Sequence, residues 1–356
     1  MNKQYWAGRI QNTEPYIPGE QPKDRRYVKL NTNENPYPPS PKVQEALGNV
    51  AISDLRLYPD PDCLGLRTAL ANQNHIAPEN VFVGNGSDEI LAFCYLAFMD
   101  ETTPAIFPDI TYSFYPVYAA FFGNNTRIVP VNADFSIPLE ELCKNDGTVV
   151  LTNPNAPTGM AVSLDAIERV LKSNPDHVVI VDEAYVDFGA QSAVPLIGQY
   201  PNLLVVQTCS KSRSLAGMRI GFAFGCPDLI AALNTVKNSV NSYTLDRMAL
   251  AAAQAAVEDT DYMDDTRTRV SNTRESTTGK LKNLGFTVLP SKANFVFASH
   301  PKVPGQTLFQ QLRDRGVLVR YFNKPRIHEF LRITIGTPEE MDVLIHALEE
   351  ILEAYQ

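Results

Sequence analysis

The sequence predicts an α/β fold: a mostly parallel central sheet flanked by helices, with a smaller α+β C-terminal domain and an N-terminal arm. Three observations carry the prediction. Between Asn80 and Gly225, compact apolar runs rich in Val and Ile alternate with helical stretches, the pattern of parallel strands covered on both faces. After Gly285 the pattern changes to short strand-like runs closed by one helix. Ahead of both, the first residues are polar and carry Pro15, Pro18 and Pro22, which suit an extended arm better than a core element. These shifts divide the 356 residues into an arm at 1–30, a large domain at 31–260 and a small domain at 261–356, within ordinary domain sizes.

In chain order, "NTNENPYPPSP" (Asn31–Pro41) is a loop that its prolines keep out of helix. From Pro41 the pattern is helical, with Val43, Ala46 and Leu47 on one face. The strand "NVFVG" precedes the helix "SDEILAFCYLAFM", and "TPAIFPD" precedes "TYSFYPVYAAFFG". Then come the strands "TRIVPV", "GTVVLTNP", "HVVIVDEAY" and "NLLVVQT". "RIGFAFG" follows the last of these after a short insertion, which suits one antiparallel strand. An alanine-rich helix spans Leu245 to Asp259, and a long charged helix from about Asp261 to Leu284 is placed to bridge two domains. "FTVLP", "NFVFAS", "VLVRYF" and "FLRITIG" read as strands of the small unit, and "PEEMDVLIHALEEILEAY" as its last helix.

Composition narrows the function. Hydrophobic residues make up 44% and charged residues 20%, ordinary for a soluble globular protein. A formal net charge of −9 argues against the basic face of a nucleic-acid binder, though not against a local basic pocket for an anionic substrate. Five scattered cysteines with no Cys-x-x-Cys pair argue against a disulfide scaffold or zinc site and for a reducing compartment. The five histidines lie too far apart in sequence for a metal motif, so no metal is expected. The opening "MNKQYWAGRIQN" lacks the apolar stretch of a signal peptide. The longest apolar run, "ILAFCYLAFM" from Ile90, is too short to span a bilayer. A cytoplasmic protein is expected, with no membrane or nucleic-acid partner.

In such a sheet, ligands gather at the carboxyl ends of the strands, and four of those ends are polar. "VVIVDEAYVDF" runs four apolar residues into Asp182 and Glu183, with Tyr185 close behind. A carboxylate there is costly unless something cationic meets it; alone, Asp182 reads as a cap or a structural ion pair. "TNPNAPTG" makes a rigid turn in which Asn153 and Asn155 can donate hydrogen bonds. "GNGSDE" (Gly84–Glu89) opens a helix after a strand, and its amides suit a phosphate. Glu89 stands where a dinucleotide fingerprint would need its third glycine, so a nicotinamide enzyme is disfavoured. Finally, "QTCSKSRSLAGMRIG" places Lys211 in a polar turn straight after a strand, and a lysine held unprotonated forms Schiff bases with carbonyls. One cofactor accounts for all four ends. Pyridoxal phosphate needs a lysine for its aldehyde, a carboxylate for its ring nitrogen, donors for its phenolic oxygen, and a helix N-terminus with hydroxyls and a cation for its phosphate.

The chain resembles a fold-type I pyridoxal-phosphate aminotransferase, and within that family the histidinol-phosphate aminotransferases. "EPYIPGEQP", "KLNTNENPYPPSP", "YPDPDCLGLRTALA", "GNGSDEIL", "NPNAPTG", "VDEAYVDF", "SKSRSLAGMRIG" and "LRITIG" occur in family order over nearly the whole length. By this resemblance the large domain is the pyridoxal-phosphate-binding one. Lys211 would hold the cofactor's aldehyde and carry the proton between the substrate Cα and the cofactor. Asp182 would pair with the ring nitrogen, and Tyr185 and Asn155 with the phenolic oxygen. Many relatives have asparagine where this chain has Ala156, so the role is assigned to Asn155, one position earlier. Ser210, Arg219, Ser87 and the amide of Asp88 would hold the phosphate, and Tyr112 would stack on the ring. Tyr58 would reach the phosphate of a neighbouring subunit, which implies a homodimer. Arg332 would clamp the carboxylate of glutamate, with Arg320, Tyr16 and Asn33 helping to bind the phosphate of histidinol phosphate at an overlapping site. The implied reaction is a ping-pong exchange between histidinol phosphate with 2-oxoglutarate and imidazole-acetol phosphate with glutamate, a step of histidine biosynthesis. Three alternatives share the cofactor: an aromatic amino-acid aminotransferase, a threonine-phosphate decarboxylase, and a sensor domain of a transcription regulator. The last would need a helix-turn-helix segment for which the chain has no spare length.

Overall fold

The computed structural model describes residues 3–11 and 13–355. A short strand, β1 (Val28–Lys29), follows the arm. Seven strands then build the central sheet: β2 (Val81–Gly84), β3 (Ala105–Pro108), β4 (Thr126–Val129), β5 (Thr148–Thr152), β6 (Val179–Asp182), β7 (Leu203–Thr208) and β8 (Gly221–Gly225). Their order is β2-β8-β7-β6-β5-β3-β4, and β8 alone runs antiparallel, against both β2 and β7. This is the antiparallel strand expected for "GFAFG".

The runs are continuous in hydrophobicity because both faces are covered. Successive side chains point to opposite faces of a strand. Thus Val149 and Leu151 pack with the helices Leu64–Asn74, Leu164–Ser173 and Arg247–Glu258. Val150 between them packs with the helices Gly86–Ala97, Tyr115–Phe122 and Pro227–Val240 on the other side. Side-chain caps mark two of these helices: Ser163 accepts from the Ala166 N–H, and Asp246 accepts from the Ala249 N–H.

The C-terminal part is a second sheet. Its strands are β9 (Thr287–Val288), β10 (Phe295–Ser299), β11 (Val317–Leu318), β12 (Arg320–Tyr321) and β13 (Phe330–Thr334). Four of them form an antiparallel sheet in the order β12-β13-β10-β9, and β11 instead pairs in parallel with β1. "VLVRYF", expected as one strand, is therefore split at Val319 between two partners. The helices Gly305–Asp314 and Pro338–Glu353 close this core, the second opened by a Thr337–Glu340 capping box. The long helix Thr260–Asn283 buries Arg274, whose Nη1 donates to Phe188 O at 2.8 Å and Ala293 O at 2.9 Å. One guanidinium thus ties a loop after β6 to the segment before β10.

The arm lies across both parts. Arg320 Nη2 donates to Ile17 O at 3.2 Å, Asn31 Nδ2 donates to Glu20 O at 2.9 Å, and Arg313 pairs with Glu20 at 3.0 Å. Tyr16 meanwhile stacks on Phe114, with ring centroids 4.5 Å apart.

Candidate active site

Sheet register explains why distant residues meet. Thr152 pairs with Asp182 and Asp182 with Val206, so β5 and β6 end level and β7 runs two residues further, to Thr208. Because β8 is antiparallel, its first residue, Gly221, faces both Gly84 and Thr208. Lys211 follows the end of β7 and Arg219 precedes the start of β8. The seven residues between them make a turn that returns the chain to the same edge. A cavity of about 620 Å³ opens there.

Lys211 lines this cavity. Its Nζ donates to Thr32 O at 3.3 Å and sits 5.6 Å from the centre of the Tyr185 ring. Burial, then the nearby Arg332 guanidinium, holds this ammonium down to about 8, against a partial opposing pull from Glu34 and Asp88. The amine is thereby brought within reach of its neutral, nucleophilic form near physiological pH. The flanking turn is fixed from below. Ser212 hydrogen-bonds to Asp187, and buried Arg213 lies 3.5 Å from Asp187 and reaches Gln73 at 3.1 Å.

Asp182 ends β6 and is almost fully buried. Burial raises its carboxyl to about 6, while hydrogen bonds from the Tyr115 hydroxyl and the Ala184 N–H pull the other way. The adjacent Glu183 points elsewhere: it accepts from Ser192, the Ala193 N–H and Gln207. Tyr185 Oη accepts from Asn33 Nδ2 at 3.0 Å, which leaves the phenol proton free to donate into the cavity. Asn33 is itself locked by Thr334 and Asn294.

The opposite wall is an anion cradle. Helix Gly86–Ala97 starts with Ser87 and Asp88, both lining the cavity, and its first amides are free donors. Arg219 crosses in front of them, donating to Asp88 Oδ2 at 3.1 Å and Ser210 Oγ at 3.5 Å. A Cβ on Gly86, which has φ +79°, would lie 2.7 Å from Arg219 Nη2. The positive φ favours glycine here, and a side chain would make the guanidinium shift from its place over this turn. Tyr112 donates to Asp88 Oδ1 at 2.8 Å, which fixes its ring beside the cradle.

Arg332 and Arg320 line the far end, directly opposite each other on β13 and β12. Arg332 donates to Asn31 O at 2.9 Å and lies over the Phe295 and Phe322 rings, while its buried Nε has no protein partner among the described residues. Tyr16 and Asn33 complete this end.

Two expected residues do not join the group. Asn155 is buried beside the cavity, with its amide donating to Ile110 O at 2.9 Å and Thr158 Oγ1 at 3.2 Å. Its neighbour Ala156 lines the cavity instead. The one-residue offset leaves the Asn155 amide donating away from the cavity, while Ala156 and Tyr185 line it. Tyr58 lies on the outer surface, 77% exposed and stacked on Tyr243 at 4.5 Å. The sequence did not single out Thr152, Thr208 or Tyr115. The first two end strands and could have been found by that position; Tyr115 sits three residues beyond Tyr112, one turn along the chain.

The set fits a phosphorylated aromatic aldehyde: an amine, a carboxylate, a phenol donor and a phosphate cradle around one space. A protein from Clostridium beijerinckii named histidinol-phosphate aminotransferase is 53% identical over 352 residues, covering 99% of this chain and 98% of its own length. One of the same name from Acinetobacter baumannii is 55% identical over 349 residues, covering 97% of each. The crystal structure of the Sinorhizobium meliloti histidinol-phosphate aminotransferase in complex with pyridoxal-5'-phosphate superposes with a TM-score of 0.88 at 25% identity, covering 99% of both chains. The sequence profile described as "Aminotransferase class I and II" matches residues 25–348, and the chain belongs to that family.

Proposed function

We propose that this chain is a pyridoxal-phosphate-dependent histidinol-phosphate aminotransferase. It exchanges the amino group between histidinol phosphate with 2-oxoglutarate and imidazole-acetol phosphate with glutamate, by a ping-pong cycle in histidine biosynthesis. The observation that carries this reading is the pairing of two anion sites in one cavity, one at Arg219 and one at Arg320 and Arg332. Like charges placed directly across two strands repel, and Arg320 contributes to holding the Arg332 guanidinium below its ordinary value, after burial. An anionic substrate group between them relieves that repulsion. A phosphate on one substrate and a carboxylate on the other meet the same need. The full-length relatives carrying the same name support the choice of substrate.

Lys211, Asp182, Tyr185, Ser210, Arg219, Tyr112, Ser87 and the Asp88 amide would hold the cofactor. Bound there, pyridoxal phosphate supplies the electron sink for the carbanion formed when the substrate Cα loses its proton. The chain's own residues do the rest. The Lys211 amine would take the substrate Cα proton and carry it to the cofactor, as a base whose basicity burial has lowered toward neutrality. Asp182 holds a proton on the ring nitrogen by its negative charge. Tyr185 donates to the phenolic oxygen. Arg219 and the helix amides neutralise the phosphate. Tyr16, Pro18, Gly19 and Gln21 of the arm line the cavity, where they would limit the access of water.

The protein acts as a homodimer, with Tyr58 reaching the cofactor phosphate of the neighbouring subunit. Exposed Ile52, Leu55, Leu57, Leu64 and Val240 lie near Tyr58 in sequence or beside its stacking partner Tyr243. An apolar group of this kind on a soluble protein suits a protein partner. The cysteines are unpaired, which suits the cytoplasm. Among the described residues no helix is long and apolar enough to cross a membrane.

A substrate panel tests the assignment. Histidinol phosphate with 2-oxoglutarate is expected to turn over fastest, phenylalanine more slowly, and threonine phosphate without release of CO₂. Lys211→Ala should abolish transamination of all of them. Faster turnover of phenylalanine, CO₂ release, or a fully active Lys211→Ala would each refute the reading.

A further inference from the structure

The roles above use Asp182 but not the residues beneath it. Tyr115 Oη donates to Asp182 Oδ2 at 2.7 Å and lies 2.6 Å from Thr152 Oγ1. Thr152 Oγ1 is 3.2 Å from Thr111 Oγ1, and Thr111 donates to Asn155 Oδ1 at 2.9 Å. Proton counting sets the direction, because each hydroxyl carries one proton. Tyr115 gives its proton to Asp182, and Thr111 gives its proton to Asn155. The short Thr152–Tyr115 contact must then carry the Thr152 proton. The chain runs Thr152 to Tyr115 to Asp182, each donating to the next.

The phenol is held rigidly for this task. Tyr115 is fully buried, at the first turn of the helix Tyr115–Phe122, with Phe107 and Tyr112 packed edge-on at 5.8 and 5.6 Å between centroids. Burial pushes its phenol well above the ordinary value, so it stays a neutral donor. On the other side the Ala184 N–H donates to Asp182 Oδ1 at 3.2 Å. Each carboxylate oxygen is thus pinned by its own donor, which fixes the plane of the group. A buried carboxylate without such donors would take up a proton near neutral pH, and a protonated acid cannot pair with a protonated ring nitrogen.

We propose that Tyr115, backed by Thr152, is a positioning residue that keeps Asp182 anionic and aimed at the cofactor's ring nitrogen. The proposal rests on the pyridoxal-phosphate reading and extends it to a residue that does not line the cavity.

The test compares two cofactors on apoprotein by fluorescence titration: pyridoxal phosphate, and its analogue with carbon in place of the ring nitrogen. The wild-type protein is expected to prefer pyridoxal phosphate. Tyr115→Phe should reduce that preference about tenfold, the scale of one hydrogen bond to a charged group, by weakening pyridoxal phosphate while leaving the analogue within about twofold. Adding Tyr115→Phe to Asp182→Asn should change the preference no further. Thr152→Val should reduce it less, and Thr152→Ser should restore it, which keeps the test open if Tyr115→Phe folds poorly. Equal weakening of both cofactors, or an unchanged preference in both Tyr115→Phe and Thr152→Val, would overturn the proposal. A wild-type protein that bound neither cofactor would overturn the underlying reading as well.

Discussion

Lys211 shows how one residue couples chemistry to stability. Its folded value of about 8 lies below the ordinary lysine value, with burial as the main cause and Arg332 next. Between those two values the unfolded chain binds more protons at this residue than the folded chain does. Folding stability therefore rises with pH across that window. Below it the charged ammonium is buried in full, and the cost is present in full. Lys211→Met removes the charge. The apoprotein of this variant should melt about 2 °C higher at pH 7, which corresponds to about 1 kcal/mol. The gain should shrink as pH rises through 8 toward 10.5. Paired thermal melts at several pH values measure it, and a variant no more stable than wild type at pH 7 would refute the argument. The same burial that makes the amine a usable base is thus a local stability defect, in keeping with a functional site.

At the scale of elements, the proposed phosphate cradle depends on two glycines in different segments. Gly221 opens β8 and packs against the first turn of the helix Gly86–Ala97. A Cβ there would fall far inside van der Waals contact with Gly86 C and Ser87 N, which are backbone atoms and cannot swing aside. Gly221→Ala is expected to push the helix N-terminus away from Arg219. It should destabilise the protein by about 1–3 kcal/mol and weaken binding of inorganic phosphate to the apoprotein at least tenfold. Gly217→Ala, in the same connection but with nothing within 4 Å, should do neither. Denaturant melts and phosphate titration separate the two variants, and equal behaviour would sink the close-packing argument. The alternation of strands and helices, the antiparallel β8 and the polar strand ends were all legible in the sequence, because apolar periodicity and turn residues encode them locally. What was not legible depended on rotation about a single residue. "NAPTG" shows an asparagine but not that its amide turns toward Ile110. Nor does "VLVRYF" show that Val319 divides two strand pairings, since the partner β1 lies some 290 residues away, at Val28–Lys29. Nor does "TYSFY" show that the Tyr115 hydroxyl reaches Asp182, 67 residues further along the chain.

For the whole molecule, the decisive question is whether one chain can complete a site. Within a chain Tyr58 stacks on Tyr243, and Arg247 donates to its carbonyl at 3.2 Å, so the segment is held outward on the surface. It does not line its own cavity among the described residues. If its role is at a neighbour's phosphate, the two halves of a site can be supplied by different chains. Lys211→Ala and Tyr58→Ala should each be impaired as homodimers, the first completely. Co-expressed, they are expected to form mixed dimers. In one site of each mixed dimer the wild-type Lys211 of the Tyr58→Ala chain meets the wild-type Tyr58 of the other chain. The second site lacks both. Random assortment in equal amounts makes half the dimers mixed, so about a quarter of all sites should recover wild-type activity. Were Tyr58 to act within its own chain, no mixed dimer would hold an intact site and activity would stay at the average of the two parents. Activity measured on purified mixed dimers, carrying a different affinity tag on each chain, decides between these outcomes.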